Sequence, residues 1–192
     1  MAQQIGFFGS APRVFVDDAT GGIVYYPALF SVEESTALFD YLSATLPFAQ
    51  ETMWMYDHTV TVPRLIARSE PGAPLDPQLA SVKARIESFL GTAFTSISVQ
   101  YYRNERDSVA WHNDHREELV DRPVVALLSL GATREMQVRS KGRPRRSFSI
   151  DLEPGSLFVM SGRAQEFWEH HIPKLRRPTG PRISVALRQR RT

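Results

Sequence analysis

The sequence of 192 residues contains no cysteine. Disulfides, thiolate zinc sites, iron–sulfur clusters and cysteine nucleophiles are therefore excluded, and any metal must be held by nitrogen and oxygen donors. Long apolar runs are missing too: nowhere do about 18 apolar residues follow one another, as a spanning helix requires. The opening Met1-Ala2-Gln3-Gln4-Ile5-Gly6 lacks the basic-then-apolar order of a secretory leader. These absences predict a protein with no membrane partner, located in the cytoplasm. Basic residues are scarce at the start, where residues 1–60 hold one base and seven acids, against 22 bases and 14 acids in residues 61–192. The later part is thus cationic although the net charge is only +2. Its bases gather at residues 139–146 and at 174–191, the latter with seven Lys or Arg and no acid. Such clusters either meet phosphates, where charge neutralisation releases counterions, or are solvated surface.

What is present points to one monomeric domain over residues 1–192, long enough to bury a core. Ser31-Val32-Glu33-Glu34 reads as a capping box opening a helix to about Thr45. Asp76 as N-cap, Pro77 in the first turn, the apolar series Leu79, Val82, Ile86, Phe89 and Leu90, and Gly91 at the end mark a second helix. From Thr95 onward the chain reads as seven short strands at 97–102, 124–130, 135–138, 148–152, 157–160, 170–172 and 183–187, split by Pro and Gly. The expected fold is α+β and mainly β: a jelly roll, or double-stranded β-helix, over about 95–190. Two supporting helices occupy about 1–94.

Histidine is scarce, five in all, and four lie in Trp111-His112-Asn113-Asp114-His115 and Trp168-Glu169-His170-His171. Residues i and i+2 of a strand face the same side, so His112 and Asp114 can both aim into a barrel mouth. A third ligand from the other sheet, either His170 or His171, would complete the two-His, one-carboxylate set of a non-haem Fe(II) centre with positions open for oxygen and a cosubstrate. His58 falls outside the strand-rich region. A hydrolase using His112 and Asp114 as base and orienting acid lacks a serine elbow to serve. Arg182 and Arg188 are in phase on one strand, with Ile183, Val185 and Leu187 facing the opposite side. Two inward guanidinium groups are costly to bury unless anions neutralise them, and a dicarboxylate supplies two.

Over roughly residues 24–188 the sequence resembles the AlkB family of Fe(II)/2-oxoglutarate dioxygenases, in its branch that repairs alkylated nucleic acid. The resemblance is carried by Tyr102-Arg103-Asn104-Glu105-Arg106-Asp107-Ser108-Val109-Ala110-Trp111-His112-Asn113-Asp114, Leu128-Ser129-Leu130-Gly131-Ala132-Thr133-Arg134, Trp168-Glu169-His170-His171-Ile172-Pro173-Lys174 and the strand from Arg182 to Arg188. It implies His112, Asp114 and His170 as iron ligands, leaving His115 outside the site. It implies Arg182 with Tyr102 at the distal carboxylate of 2-oxoglutarate, and Arg188 at the carboxylate near iron. Gln100 stands where the family has an Asn and Ser184 where it has another; both retain polar groups for the cosubstrate. The implied chemistry is activation of O2, decarboxylation of 2-oxoglutarate to succinate and CO2, and oxidation of an alkyl carbon that leaves the base as formaldehyde. The implied partner is alkylated DNA or RNA, single- or double-stranded. A substrate lid within about residues 1–94 is implied as well.

The substrate side departs from the family. His115 and Arg116 follow the H-x-D motif where acidic residues are usual, and Arg68 and Ser69 stand in the lid where repair enzymes place aromatics. Trp54, Tyr56 and His58 alternate as on one strand and offer a stacking wall. The altered lid also keeps open an oxygenase of the same chemistry acting on a protein or small molecule. A nucleic-acid-binding module with a dead site is disfavoured by the complete ligand set.

Overall fold

The computed structural model describes residues 11–55, 57–68, 74–114 and 116–191. Both expected helices form where their caps stand, α1 at Val32–Thr45 and α2 at Pro77–Leu90. The Ser31 hydroxyl accepts from the Glu34 amide while the Glu34 carboxylate accepts from the Ser31 amide, so two otherwise orphaned N–H groups are satisfied. Asp76 accepts from the amides of Gln78 and Leu79, and Gly91 closes α2 at φ 63, a left-handed turn that glycine adopts without a Cβ clash.

The described residues also form twelve strands: β1 (Arg13–Asp18), β2 (Gly21–Tyr26), β3 (Ala49–Met55), β4 (His58–Arg68), β5 (Ser96–Tyr102), β6 (Val109–His112), β7 (Val125–Gly131), β8 (Arg134–Ser140), β9 (Ser147–Leu152), β10 (Leu157–Ser161), β11 (Trp168–Ile172) and β12 (Arg182–Arg188). A one-turn helix, α3 (Ala164–Phe167), precedes β11. The larger sheet runs β1-β2-β10-β7-β12-β5-β4-β3 and the smaller β6-β11-β8-β9. All neighbouring strands are antiparallel.

The seven expected strands are β5 and β7 to β12. The other five correct the sequence reading, since β1 to β4 join the larger sheet from a segment expected to hold helices and a lid. These strands lack long apolar runs: β1 buries Val16 but carries Asp17 and Asp18, and β2 buries Ile23 and Tyr25 beside Gly21 and Gly22. His58 is likewise corrected, because it opens β4 and so lies within the strand-rich region. Trp54 and His58 do not alternate along one strand. They belong to the two arms of the β3–β4 hairpin, which turns at Asp57 with φ 61, and Tyr56 lies outside the described residues.

Two layers of core explain why β7 and β12 read as unbroken apolar runs, for each is buried on both faces. Leu128 and Leu130 on β7 and Ile183, Val185 and Leu187 on β12 pack against Leu42 of α1 and Leu79, Val82 and Ile86 of α2. The opposite face turns Leu127, Ala186, Phe158 and Met160 toward Met136, Val138, Ile150 and Trp168 of the smaller sheet. At 25 cal/mol per Å² of apolar surface, each buried Leu, Ile or Val side chain contributes about 1.5–3 kcal/mol, before conformational entropy is counted. The space between the sheets receives the functional side chains.

Candidate metal and cosubstrate site

His112 ends β6 and His170 sits at mid-strand on β11, and the two are direct cross-strand partners. The expectation that the third ligand comes from the other sheet is therefore corrected: both histidines belong to the smaller one. Directly opposed residues of an antiparallel pair project to the same side, and their imidazole centroids are 4.4 Å apart. Alternation along β11 separates the neighbouring pair. His170 is buried, whereas His171 stacks on Trp111 at 4.0 Å and meets the Gln137 side chain through Nε2 at 2.8 Å. Trp111 also lies beneath the Arg139 guanidinium, at 3.8 Å from its ring centroid.

Asp114 needs a second correction. Because β6 stops at His112, the two-residue period of a strand does not aim this carboxylate. Its neighbours hold it instead: the buried side chain accepts from Arg188 Nε at 2.9 Å and Nη2 at 3.2 Å, and its amide donates to Gln165 Oε1 at 2.8 Å. Among the described residues no three His, Asp or Glu side chains form a ready-made cation cage. The Asp114 carboxylate is turned onto Arg188.

The donor set nevertheless fits a divalent cation. Burial pushes the His112 imidazole below its ordinary pKa and drives that of His170 down to about 3, with the nearby His112 adding to the effect. Both rings are thus neutral, which is the ligating form. His112 Nδ1 lies 2.9 Å from the Ala110 carbonyl, which can only accept, so the proton is on Nδ1 and Nε2 keeps its lone pair. His170 Nδ1 is buried without a hydrogen-bond partner. Burial opposes ionisation of Asp114, but the adjacent Arg188 charge and its hydrogen bonds outweigh this and hold the carboxyl below its ordinary value.

The larger sheet supplies the cationic side. Arg182, Ser184 and Arg188 share one face of β12, opposite Tyr102, Gln100 and Ser96 of β5 in register. Arg182 is 1% exposed and lies over the Tyr102 ring at 5.2 Å. Its Nη2 donates to Ser129 Oγ at 2.8 Å, yet Nε and Nη1 are buried without acceptors. Burial lowers its pKa to about 10. A buried guanidinium with two empty donors and no carboxylate partner is a cradle for a planar anion. Arg188 is held by Asp114 and by Ser98, whose hydroxyl accepts from Nη1 at 2.8 Å and from Gln100 Nε2 at 3.0 Å. Gln100 thus reaches the site through Ser98, and Ser184 is buried between Ser129 and Gln100 on the adjoining strands.

Four residues here have roles that the sequence reading did not assign. Ser98 alternates with Gln100 and Tyr102, so the period of β5 could have identified it. Ser129 is a lone hydroxyl in a buried apolar strand, a pattern that implies a partner. Arg134, 1% exposed, donates to the carbonyls of Asn104, Asp107 and Pro173 and so ties the β5–β6 loop to the end of β11. Gln165 carries no sequence signal, because its helix has a single turn.

On the substrate side Arg68 is not free: it makes two hydrogen bonds to Glu51, at 2.8 and 3.0 Å. Arg116 is exposed, 3.5 Å from Glu166, and Trp54 is 71% exposed. Ser69 and His115 lie outside the described residues. Within the first basic stretch, Arg139 pairs with Glu169 and Arg146 with Asp18, while Arg143 and Arg145 are exposed.

Residues 63–191 match the 2OG-Fe(II) oxygenase superfamily, whose description names iron(II) and 2-oxoglutarate; O2 is the oxidant of an oxygenase. The human alpha-ketoglutarate-dependent dioxygenase alkB homolog 3 is 33% identical over 186 residues, with 86% of this chain and 65% of that protein covered. The DNA oxidative demethylase ALKBH2 of Arabidopsis thaliana is 26% identical at the same coverages of 86% and 65%. The chain thus spans just under two thirds of the length of these relatives. The structure of a 2OG-Fe(II) oxygenase family oxidoreductase from Burkholderia pseudomallei is similar in fold, with TM-score 0.60 and 18% identity over 88% of this chain and 86% of that one. The chain belongs to the 2OG-Fe(II) oxygenase superfamily, and the relatives named above are what it is similar to within it.

Proposed function

We propose that the protein is an Fe(II)/2-oxoglutarate-dependent dioxygenase that oxidatively dealkylates alkylated bases in single- or double-stranded DNA or RNA, with release of formaldehyde, succinate and CO2. One observation carries the reading: the smaller sheet pairs two neutral imidazoles beside the Asp114 carboxylate, while the larger sheet buries a guanidinium, Arg182, that no carboxylate neutralises. In this proposal His112, Asp114 and His170 hold the iron, which when bound supplies open coordination positions and the oxidising power for attack on an alkyl carbon. Arg182 receives the distal carboxylate of 2-oxoglutarate on Nε and Nη1, and Tyr102 stacks beneath its charge. Arg188 serves the carboxylate near the metal, its fork oriented by Ser98, with Gln100 bonded behind that hydroxyl. Ser184 lines the wall between them. Leu127, Phe158 and Ala186 pack around this end of the barrel and exclude water from the ion pairs, which strengthens them.

Nucleic acid as substrate is supported by the names of the similar proteins and by the cationic later part of the chain. The exposed Trp54 at the β3–β4 hairpin offers a face on which an extruded base can stack. We also propose that residues 1–192 act as one catalytic domain, monomeric and cytoplasmic, which sedimentation and imaging of the tagged protein check.

The test is a panel of methylated DNA and RNA oligonucleotides with Fe(II) and 2-oxoglutarate, formaldehyde and succinate being measured together. Equal yields with restoration of the base are expected. Succinate formation without turnover of any oligonucleotide would move the substrate to a protein side chain or a small molecule.

A further inference from the structure

The Asp114 carboxylate poses a positional problem. Histidines 112 and 170 are fixed by the β6–β11 ladder, but Asp114 lies two residues beyond the end of β6, where the ladder gives its backbone no support. Its amide is buried and donates to Gln165 Oε1 at 2.8 Å. A backbone N–H can only donate, so this contact fixes which end of the Gln165 amide faces the loop. The other end, Nε2, lies 3.4 Å from Met160 Sδ, and the side chain as a whole is 2% exposed. Lys141 adds a second tie, its Nζ donating to Asn113 Oδ1 at 2.8 Å and reaching the Gln165 carbonyl at 3.4 Å.

We infer that Gln165 is a positioning residue for the metal site, acting as the acceptor that latches the Asp114 backbone to α3 and so fixes the carboxylate beside His112 and His170. The inference rests on the reading of Asp114 as a metal ligand given above. Histidines on paired strands need no such device. A carboxylate on an unpaired loop does, because every backbone torsion left free there moves the ligand oxygens relative to the two imidazoles. A buried amide accepting a backbone N–H is also a costly contact to lose, since the orphaned donor keeps its desolvation penalty. Lys141 acts on the same loop from the solvent side through the residue between the two ligands.

The experiment is calorimetric titration of the full chain with Mn(II) alone, which needs neither cosubstrate nor substrate. Gln165→Met removes the acceptor at nearly constant volume, and its Kd for Mn(II) should rise about 10–100-fold, the range typical of lost support behind a metal ligand. A folded Gln165→Met with Mn(II) affinity within about twofold of the parent overturns the inference, since a purely structural role lowers the unfolding midpoint and leaves affinity alone. If that variant does not fold, Lys141→Met provides the test at an exposed position. It should weaken Mn(II) binding about threefold, near the lower value of a single hydrogen bond, and unchanged binding there also overturns the latch. Asp114→Ala separates the two levels: if it binds Mn(II) as the parent does, the metal-site reading itself fails.

Discussion

The two sheets bring opposite chemistries to one candidate site. The smaller sheet presents imidazoles kept neutral by burial, whereas the larger presents a guanidinium, that of Arg182, kept charged despite it. The difference fits what each side holds in the proposed site. A cation is bound by lone pairs, so the histidines lose their protons without penalty to the site; a dianion is bound by charge, so arginine, the base least able to deprotonate, lines the other wall. Asp114 stands between them and is paired to the larger sheet through Arg188.

The strongest way to break this division is to remove a donor from the smaller sheet. His170→Ala or His112→Ala should abolish Mn(II) binding in calorimetry and turnover with it, beyond the about 100-fold cost of losing a merely supporting group. Persistence of turnover in either variant would show that the smaller sheet is not the metal wall. On the larger sheet Arg182→Met should leave Mn(II) binding intact and weaken 2-oxoglutarate about 100-fold, which is two charge-assisted hydrogen bonds at about 1.5 kcal/mol each. The same variant should be more resistant to urea by about 1–4 kcal/mol in the absence of 2-oxoglutarate, because an unpaired buried charge is exchanged for an apolar chain of similar length. A drop in stability with unchanged 2-oxoglutarate affinity would make Arg182 a structural group.

The functional face of the larger sheet was more legible than that of the smaller. Arg182 and Arg188 sit in phase on a seven-residue strand, so their common face followed from a period of two, and the apolar residues between them had to face the helices. The smaller sheet hid its logic in pairing. That His112 and His170 stand opposite each other is a fact of register between strands far apart in sequence, and no local pattern contains it. Asp114 was misread for the complementary reason: the period of two was extended past the end of β6, where side chain and backbone partners take over. β1 to β4 were missed because their burial comes from docking onto β10 and β5, not from an apolar run of their own.

Acid and alkali probe the two walls separately. His170 has a folded pKa of about 3 against a reference of 6.5, so between those values the unfolded chain binds the extra proton. Stability therefore rises with pH through this window and is lost on acidification, by about 2 kcal/mol between pH 7 and pH 5 from this residue alone. Arg182, lowered by burial to about 10 from the ordinary guanidinium range, is protonated in both states throughout that window and contributes no slope there. Urea midpoints of the metal-free protein at pH 7 and 5 should differ accordingly, and His170→Gln should flatten the difference. An equal slope in the variant would place the proton elsewhere.

The smallest expected effect concerns the edge of the larger sheet against its interior. Arg68 ends β4, and its side chain is 60% exposed even while bonded to Glu51. An ion pair this open to water contributes under about 1 kcal/mol, so Arg68→Ala should leave the unfolding midpoint nearly unchanged, unlike any substitution at Arg182. Turnover of 2-oxoglutarate without substrate should also be unaffected, because Arg68 touches none of the groups around Asp114. Its place at the exposed end of β4, in the segment read from the sequence as a substrate lid, predicts an effect on substrate alone. If it meets a phosphate, the KM for a methylated oligonucleotide should rise with kcat unchanged, and the slope of log affinity against log salt should fall by about one. An unchanged slope with an altered preference among bases would instead assign Arg68 to the pocket for the base, where an aromatic residue stands in the enzymes this lid departs from.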